Sequence, residues 1–161
     1  MRLRPLNPND IAAVLEVQRK CYSTELIEAG ETFEKKMAFY PEGCLGIEED
    51  GELGAYVFCH PWIASQIVPL DFDMKAMPDH CDCLYIHDIS VVPAWRGRKV
   101  AAELLASVFA LARRNQLGKL SLVAVQSSEP FWAKQGFHPV RSFSYSDNVV
   151  ATHMIRNGVP A

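Results

Sequence analysis

The sequence contains no apolar run long enough to suggest a membrane span. Its opening Met1-Arg2-Leu3-Arg4-Pro5 lacks the apolar core of an export signal. The expectation is a cytoplasmic protein with no membrane partner. A basic excess is missing too: Lys and Arg number 16 against 19 Asp and Glu, for a net charge of −3 at pH 7. Nucleic-acid binders usually carry a basic face, so no nucleic-acid partner is expected. The five cysteines, Cys21, Cys44, Cys59, Cys81 and Cys83, are odd in number and come without an export signal, which points to free thiols. His80, Cys81, Cys83 and His87 lie close together, but their spacing is not that of a common zinc site and no second ligand pair follows, so no metal is expected. Internal repeats, low-complexity tracts and composition breaks are also lacking.

What is present is one domain's worth of chain. Its 161 residues are 49% hydrophobic and 22% charged, enough to build a core without disulfides, and residues 1–161 read as a single domain. A short strand over Met1–Leu6 leads into Asn7-Pro8-Asn9-Asp10, which caps a helix with Ile11, Val14, Leu15, Gln18, Cys21 and Tyr22 near helical spacing. A second helix is expected from about Thr32 to Tyr40. Strands at Cys44–Glu49 and Leu53–Cys59 are joined through Asp50-Gly51, a hairpin signal. Pro61 to Asp82 reads as a long irregular connection. Cys83–Val92 is a strand ending at Pro93. A helix follows from near Gly97 to about Gln116, with Gly118 expected at its C-terminal cap. Lys119–Val125, a short helix over Glu129–Gln135, and an antiparallel pair at Phe137–Phe143 and Asn148–Ile155 complete the chain. The strand–helix–strand unit from Cys83 to Val125 is a crossover, which makes its two strands parallel. The fold class expected is α/β: a mixed sheet of about seven strands flanked by helices on both faces.

One turn carries the chemistry. The strand ending at Pro93 runs straight into a helix start wrapped by Arg96, Gly97, Arg98 and Lys99. Free N–H groups and the dipole at a helix start favour an anion there. Glycine lets backbone approach closely, and the three cations suit phosphate oxygens. Taken alone, such a turn is as often a solvated basic surface as a ligand site.

Its surroundings decide between these. The stretch VVPAWRGRKVAAELL resembles motif A of the GCN5-related N-acetyltransferase (GNAT) superfamily, with Arg96 and Ala101 matching marked positions and Lys99 replacing a glycine. Downstream, EPFWAKQGFHPV resembles the superfamily's second signature: Phe131, Gly136 and Phe137 match, and Trp132 stands where tyrosine is usual. The resemblance implies a centrally splayed sheet that binds acetyl-coenzyme A. It implies pantetheine along Ile89, Ser90, Val91 and Val92, and pyrophosphate on the backbone of Arg98, Lys99, Val100, Ala101 and Ala102. Arg96, Gly97, Ser127, Phe131 and Trp132 complete the implied cofactor set. Lys99 either turns outward and adds a phosphate contact, the favoured reading, or weakens binding.

Within the superfamily LYIHDISVVP is most similar to arylalkylamine N-acetyltransferases, with His87 matching the second of their paired histidines and Tyr85 replacing the first. An alkylamine must lose a proton before attacking a thioester, and histidine suits that step. His87 is the candidate base, directly or through water. Strand alternation puts Tyr85 on its face, unless a bulge intervenes, and sends Asp88 to the other. Indole is not a usable acid. The leaving thiolate either departs unaided or takes a proton from Tyr85, Ser127, Ser128 or Tyr145. Glu25, Glu28, Glu31 and Glu34, with Asp71, Asp73, Asp79 and Asp82, could draw in a cationic acceptor, although a solvated acidic face is the commoner explanation. The expected function is acetyl transfer to a primary amine of a small molecule. The alternatives are a protein N-terminal or lysine acetyltransferase and a non-catalytic acyl-CoA-binding regulatory module. A homodimer is left open.

Overall fold

The computed structural model describes residues 1–146 and 148–161. The chain runs β1 (Arg2–Pro5), α1 (Ile11–Cys21), α2 (Gly30–Phe39), β2 (Cys44–Glu49), β3 (Glu52–Trp62), β4 (Cys83–Val91), α3 (Val100–Arg114), β5 (Lys119–Ala124), α4 (Glu129–Lys134), β6 (His138–Ser146) and β7 (Val149–Asn157). The strands form one seven-stranded sheet in the order β1-β2-β3-β4-β5-β7-β6. Among the described residues only β4 and β5 pair in parallel, as the crossover through α3 requires.

Local sequence explains most of these elements. Asn7 and Asp10 cap the helical entry reciprocally. Asp50 and Gly51 both take positive φ, 53° and 83°, the signature of the tight turn that suits strand twist. Val100, Leu104, Leu105, Val108, Leu111 and Ala112 form the buried stripe of α3, and lie with Ile47, Val57, Leu84 and Ile86 in one core. On the opposite face Val14, Val17, Phe33 and Met37 cover Tyr56 and Phe58. A third cluster, Trp62, Val68, Met74, Cys83 and Tyr85, lies where the 63–82 connection folds back on the sheet.

Two local expectations need correction. Strand β3 continues through Pro61 to Trp62, with Pro61 opposite Leu84. Strand β2 stops opposite Phe58, so β3 is an edge on that side at Pro61, where proline is tolerated. At the end of α3 it is Gln116, φ 56°, and not Gly118, that takes the left-handed conformation. The Leu117 N–H then reaches Ala112 O and the Gln116 N–H reaches Arg113 O, a Schellman closure.

Candidate active site

Strands β4 and β5 pair only from Cys83↔Lys119 to Ile86↔Leu122. Beyond Ile86, β4 continues against β3 and β5 continues against β7, so the two strands part. The backbone of His87 to Val91 therefore faces a gap with no strand partner on that side among the described residues. The gap is a cleft of about 750 Å³.

The basic turn forms one end of this cleft. Gly97 takes φ 78°, and Lys99 takes φ 64°, ψ 12° as the N-cap of α3. The lysine thus adopts the left-handed conformation that a glycine would adopt without strain. Behind the turn, Trp95 lies flat against Gly54 of β3: a Cβ there would sit 2.4 Å from its Cε3. That contact, together with the Trp95 N–H bond to Val92 O, fixes where the helix starts. The first N–H groups of α3 lack intrahelical acceptors and supply anion donors.

Of the residues expected to bind cofactor, Ile89, Ser90, Val91, Arg96, Gly97 and Lys99 line the cleft. So do Val100, Ala101, Ala102, Phe131 and Trp132. Three do not. Val92 is buried and donates its N–H to Gly54 O. The Arg98 guanidinium stacks on Trp95 and pairs with Glu49 at 3.0 Å, turned away from the cleft. Ser127 is exposed beyond the cleft wall. Trp132 is buried between Phe131 and Phe137, ring centroids 5.0 and 5.3 Å away, and forms wall.

His87 occupies the other end of the cleft, on a β-bulge. Phe58 opposes Asp88 while Cys59 opposes Ile86, so His87 is an extra residue on β4. The extra residue reverses the alternation. Leu84 and Ile86 pack toward α3, as do Ile89 and Val91. Asp88 therefore lies on the α1 face, not the opposite one expected from alternation. There it is buried and accepts hydrogen bonds from Tyr22 Oη, Tyr56 Oη at 2.6 Å and Ser90 Oγ at 3.2 Å. Burial pushes the Asp88 carboxyl above its ordinary range, against the pull of the two tyrosine hydroxyls.

His87 meets Glu28 from the connection between α1 and α2. Nε2 of His87 and Oε1 of Glu28 are 2.6 Å apart, and both side chains are 3% exposed. A carboxylate only accepts, so the proton sits on Nε2. Nδ1 of His87 is buried without a hydrogen-bond partner, which leaves its lone pair free. Glu28 is itself held in place. Its Oε2 accepts the Asp71 N–H at 2.7 Å, and its backbone is bracketed by both amide atoms of Gln18. Burial alone would raise the Glu28 carboxyl. His87, the Asp71 N–H and Lys36 outweigh burial and hold it below the usual 4.5.

Of the other candidate acids Ser128 lines the cleft, whereas Tyr85 and Tyr145 lie elsewhere. Tyr85 is 1% exposed under the 63–82 connection, and its hydroxyl accepts the Val68 N–H at 3.4 Å. Tyr145, on β6, packs edge-on against Phe143 within electrostatic reach of Glu28 and Tyr85. Neither lines the cleft. Several of the acidic residues are already engaged. Asp71 accepts from Ala29 N–H and Thr32 Oγ1, Asp73 pairs with Lys35, and Asp82 pairs with Lys119. Sequence reasoning did not single out the orienting role of Glu28, nor Gln126, nor the Gly54–Trp95 contact.

The family model for the acetyltransferase (GNAT) family matches residues 11–137. No curated protein matches the chain by sequence. Among solved structures, the GphF GNAT-like decarboxylase in complex with isobutyryl-CoA superposes with a TM-score of 0.80 at 15% identity, covering 98% of this chain and 99% of that one. The ribosomal-protein-S18-alanine N-acetyltransferase from Escherichia coli gives 0.71 at 13%, over 99% and 95%. The PaiA N-acetyltransferase from Thermoplasma acidophilum in complex with coenzyme A gives 0.70 at 16%, over 97% and 98%. With most of its length matched by the family model and a splayed sheet of the expected form, the chain belongs to the acetyltransferase (GNAT) family, whose cofactor is an acyl-coenzyme A.

Proposed function

We propose that this protein transfers an acetyl group from acetyl-CoA to a primary amine of a small molecule, with arylalkylamines as the first class to test. The supporting observation is the His87–Glu28 pair beside the cleft. Glu28 accepts the Nε2 proton and so leaves Nδ1 of His87 as a base of fixed tautomer. Acetyl-CoA supplies the activated thioester. His87 takes the proton the amine loses, directly or through one water. Backbone N–H groups between His87 and Val91 that face the gap are placed to stabilise negative charge on the carbonyl oxygen. Trp132 contributes a wall and no proton, so the thiolate leaves unaided or takes a proton from Ser128 in the cleft lining.

A second reading has a protein N-terminus as acceptor. It draws on the likeness to the S18-alanine enzyme, and on Asp71, Asp73 and Asp82 being engaged within the chain rather than free for a small polycation. The test is thiol release from acetyl-CoA across arylalkylamines, polyamines, aminoglycosides and N-terminal peptides, repeated with His87→Ala. Amine-dependent release that falls at least about 10²-fold in the variant is expected. Unchanged release would remove His87 as base. Tight CoA binding without turnover on any acceptor would favour a non-catalytic module instead.

A further inference from the structure

Gln126 follows β5, where the chain turns toward α4. It and Ser127 both take left-handed backbone, with φ 51° and 59°. Two consecutive non-glycine residues in that region are strained, and such strain persists where surrounding contacts impose it. The contact at Gln126 is specific. Its Nε2 donates to the carbonyl of Cys21 at 3.0 Å, and its Oε1 accepts the N–H of Ser23 at 2.9 Å. Cys21 is the last residue of α1. Both functions of one side-chain amide are therefore spent on backbone more than a hundred residues away.

The location gives the contact its meaning. Helix α1 packs on β3 and β4, whereas Gln126 extends from β5. These are the two arms of the gap, and past Ile86 no ladder bond joins them. The amide spans that gap, and Cys21, Tyr22 and Gln126 all line the cleft. Being exposed, its two hydrogen bonds compete with water, so they can break without cost to the core.

We propose that Gln126 is a strut across the cofactor cleft, which closes over the pantetheine arm of bound coenzyme A and must release for the cofactor to enter or leave. The strut is a positioning element. It rests on coenzyme A binding in this cleft and is independent of the acceptor. Gln126→Ala removes both bonds. Gln126→Asn keeps an amide but is one methylene too short to span. Gln126→Glu keeps the acceptor for Ser23 N–H and loses the donor to Cys21 O.

Stopped-flow binding of CoA, followed by the fluorescence of Trp95 and Trp132 in the cleft wall, reads the rates directly. Dissociation should quicken roughly 5- to 30-fold in Gln126→Ala and Gln126→Asn, the effect of two hydrogen bonds, and by an intermediate factor in Gln126→Glu. Association should quicken as well. Circular dichroism and apo melting temperature establish that each variant is folded. A folded variant whose dissociation rate stays within about twofold of the parent overturns the strut, whatever its melting temperature. Calorimetry separates the two premises. CoA bound by the parent with unaltered variant rates overturns the strut alone, and no binding of CoA at millimolar concentration overturns the cofactor cleft with it.

Discussion

Glu28 accepts two hydrogen bonds through its two carboxylate oxygens, one from His87 Nε2 and one from the Asp71 N–H, and so ties the cleft to the 63–82 connection. Glutamine at this position would offer one oxygen and one NH2 group, and could accept from only one of these donors. Glu28→Gln is therefore expected to lower kcat about 10-fold or more while leaving KM for acetyl-CoA near its parent value. Steady-state kinetics with acetyl-CoA varied at saturating amine checks this. A rise in KM with kcat unchanged would place Glu28 in cofactor binding instead.

The helix-start end of the cleft and His87 itself were legible in the sequence, but the partner of His87 was not, for a physical reason. Arg96, Gly97 and Lys99 are contiguous and read as one helix start. Glu28 and His87 lie 59 positions apart in the sequence and come together only once the chain between them has folded. Four glutamates, Glu25, Glu28, Glu31 and Glu34, stand at similar spacing, and only packing selects Glu28. The bulge was equally hidden: alternation is a rule of regular strands, and one extra residue at His87 carried Asp88 to the face of Tyr22 and Tyr56. The Gly54–Trp95 contact joins residues distant in sequence in the same way.

Lys99 occupies a left-handed position that glycine adopts at no steric cost. Lys99→Gly relieves that strain, against the greater freedom of glycine in the unfolded chain. A net stabilisation of about 0.5–1 kcal/mol is expected, or roughly 1–4 °C in Tm. The same change deletes a cation at the end of the cleft where α3 starts. CoA affinity should fall a few-fold at low salt, and the deficit should shrink as salt screens the charge. Thermal melts of the apo protein and CoA titrations at two salt concentrations measure the two effects separately. Unchanged affinity at low salt would mean that the Lys99 ammonium makes no phosphate contact.

His60 adds to the acid sensitivity of the fold. It is 2% exposed, with its ring centroid 5.3 Å from Trp62, 5.6 Å from Tyr85 and 6.0 Å from Phe39. Its Nδ1–H donates to Pro61 O at 3.0 Å, while Nε2 is buried without a partner. Burial, helped by the nearby charge of Lys36 and only partly offset by the hydrogen bond to Pro61 O, pushes its pKa down from 6.5 to about 3. The folded value is thus depressed below the unfolded one. Between pH 6.5 and about 3 the unfolded chain binds a proton that the native protein refuses, so the contribution of His60 is complete above 6.5 and is lost as pH falls. The slope approaches about 1.4 kcal/mol per pH unit in that window. His60→Gln keeps a donor for Pro61 O and does not titrate. It should be less stable than the parent at pH 7 by about 1–2 kcal/mol through lost packing, with the gap narrowing steadily toward pH 4. Urea denaturation of both proteins at pH 7, 6, 5 and 4 measures the gap directly, because carboxylates common to both chains cancel in the difference. Two parallel stability curves would assign the acid loss to other groups.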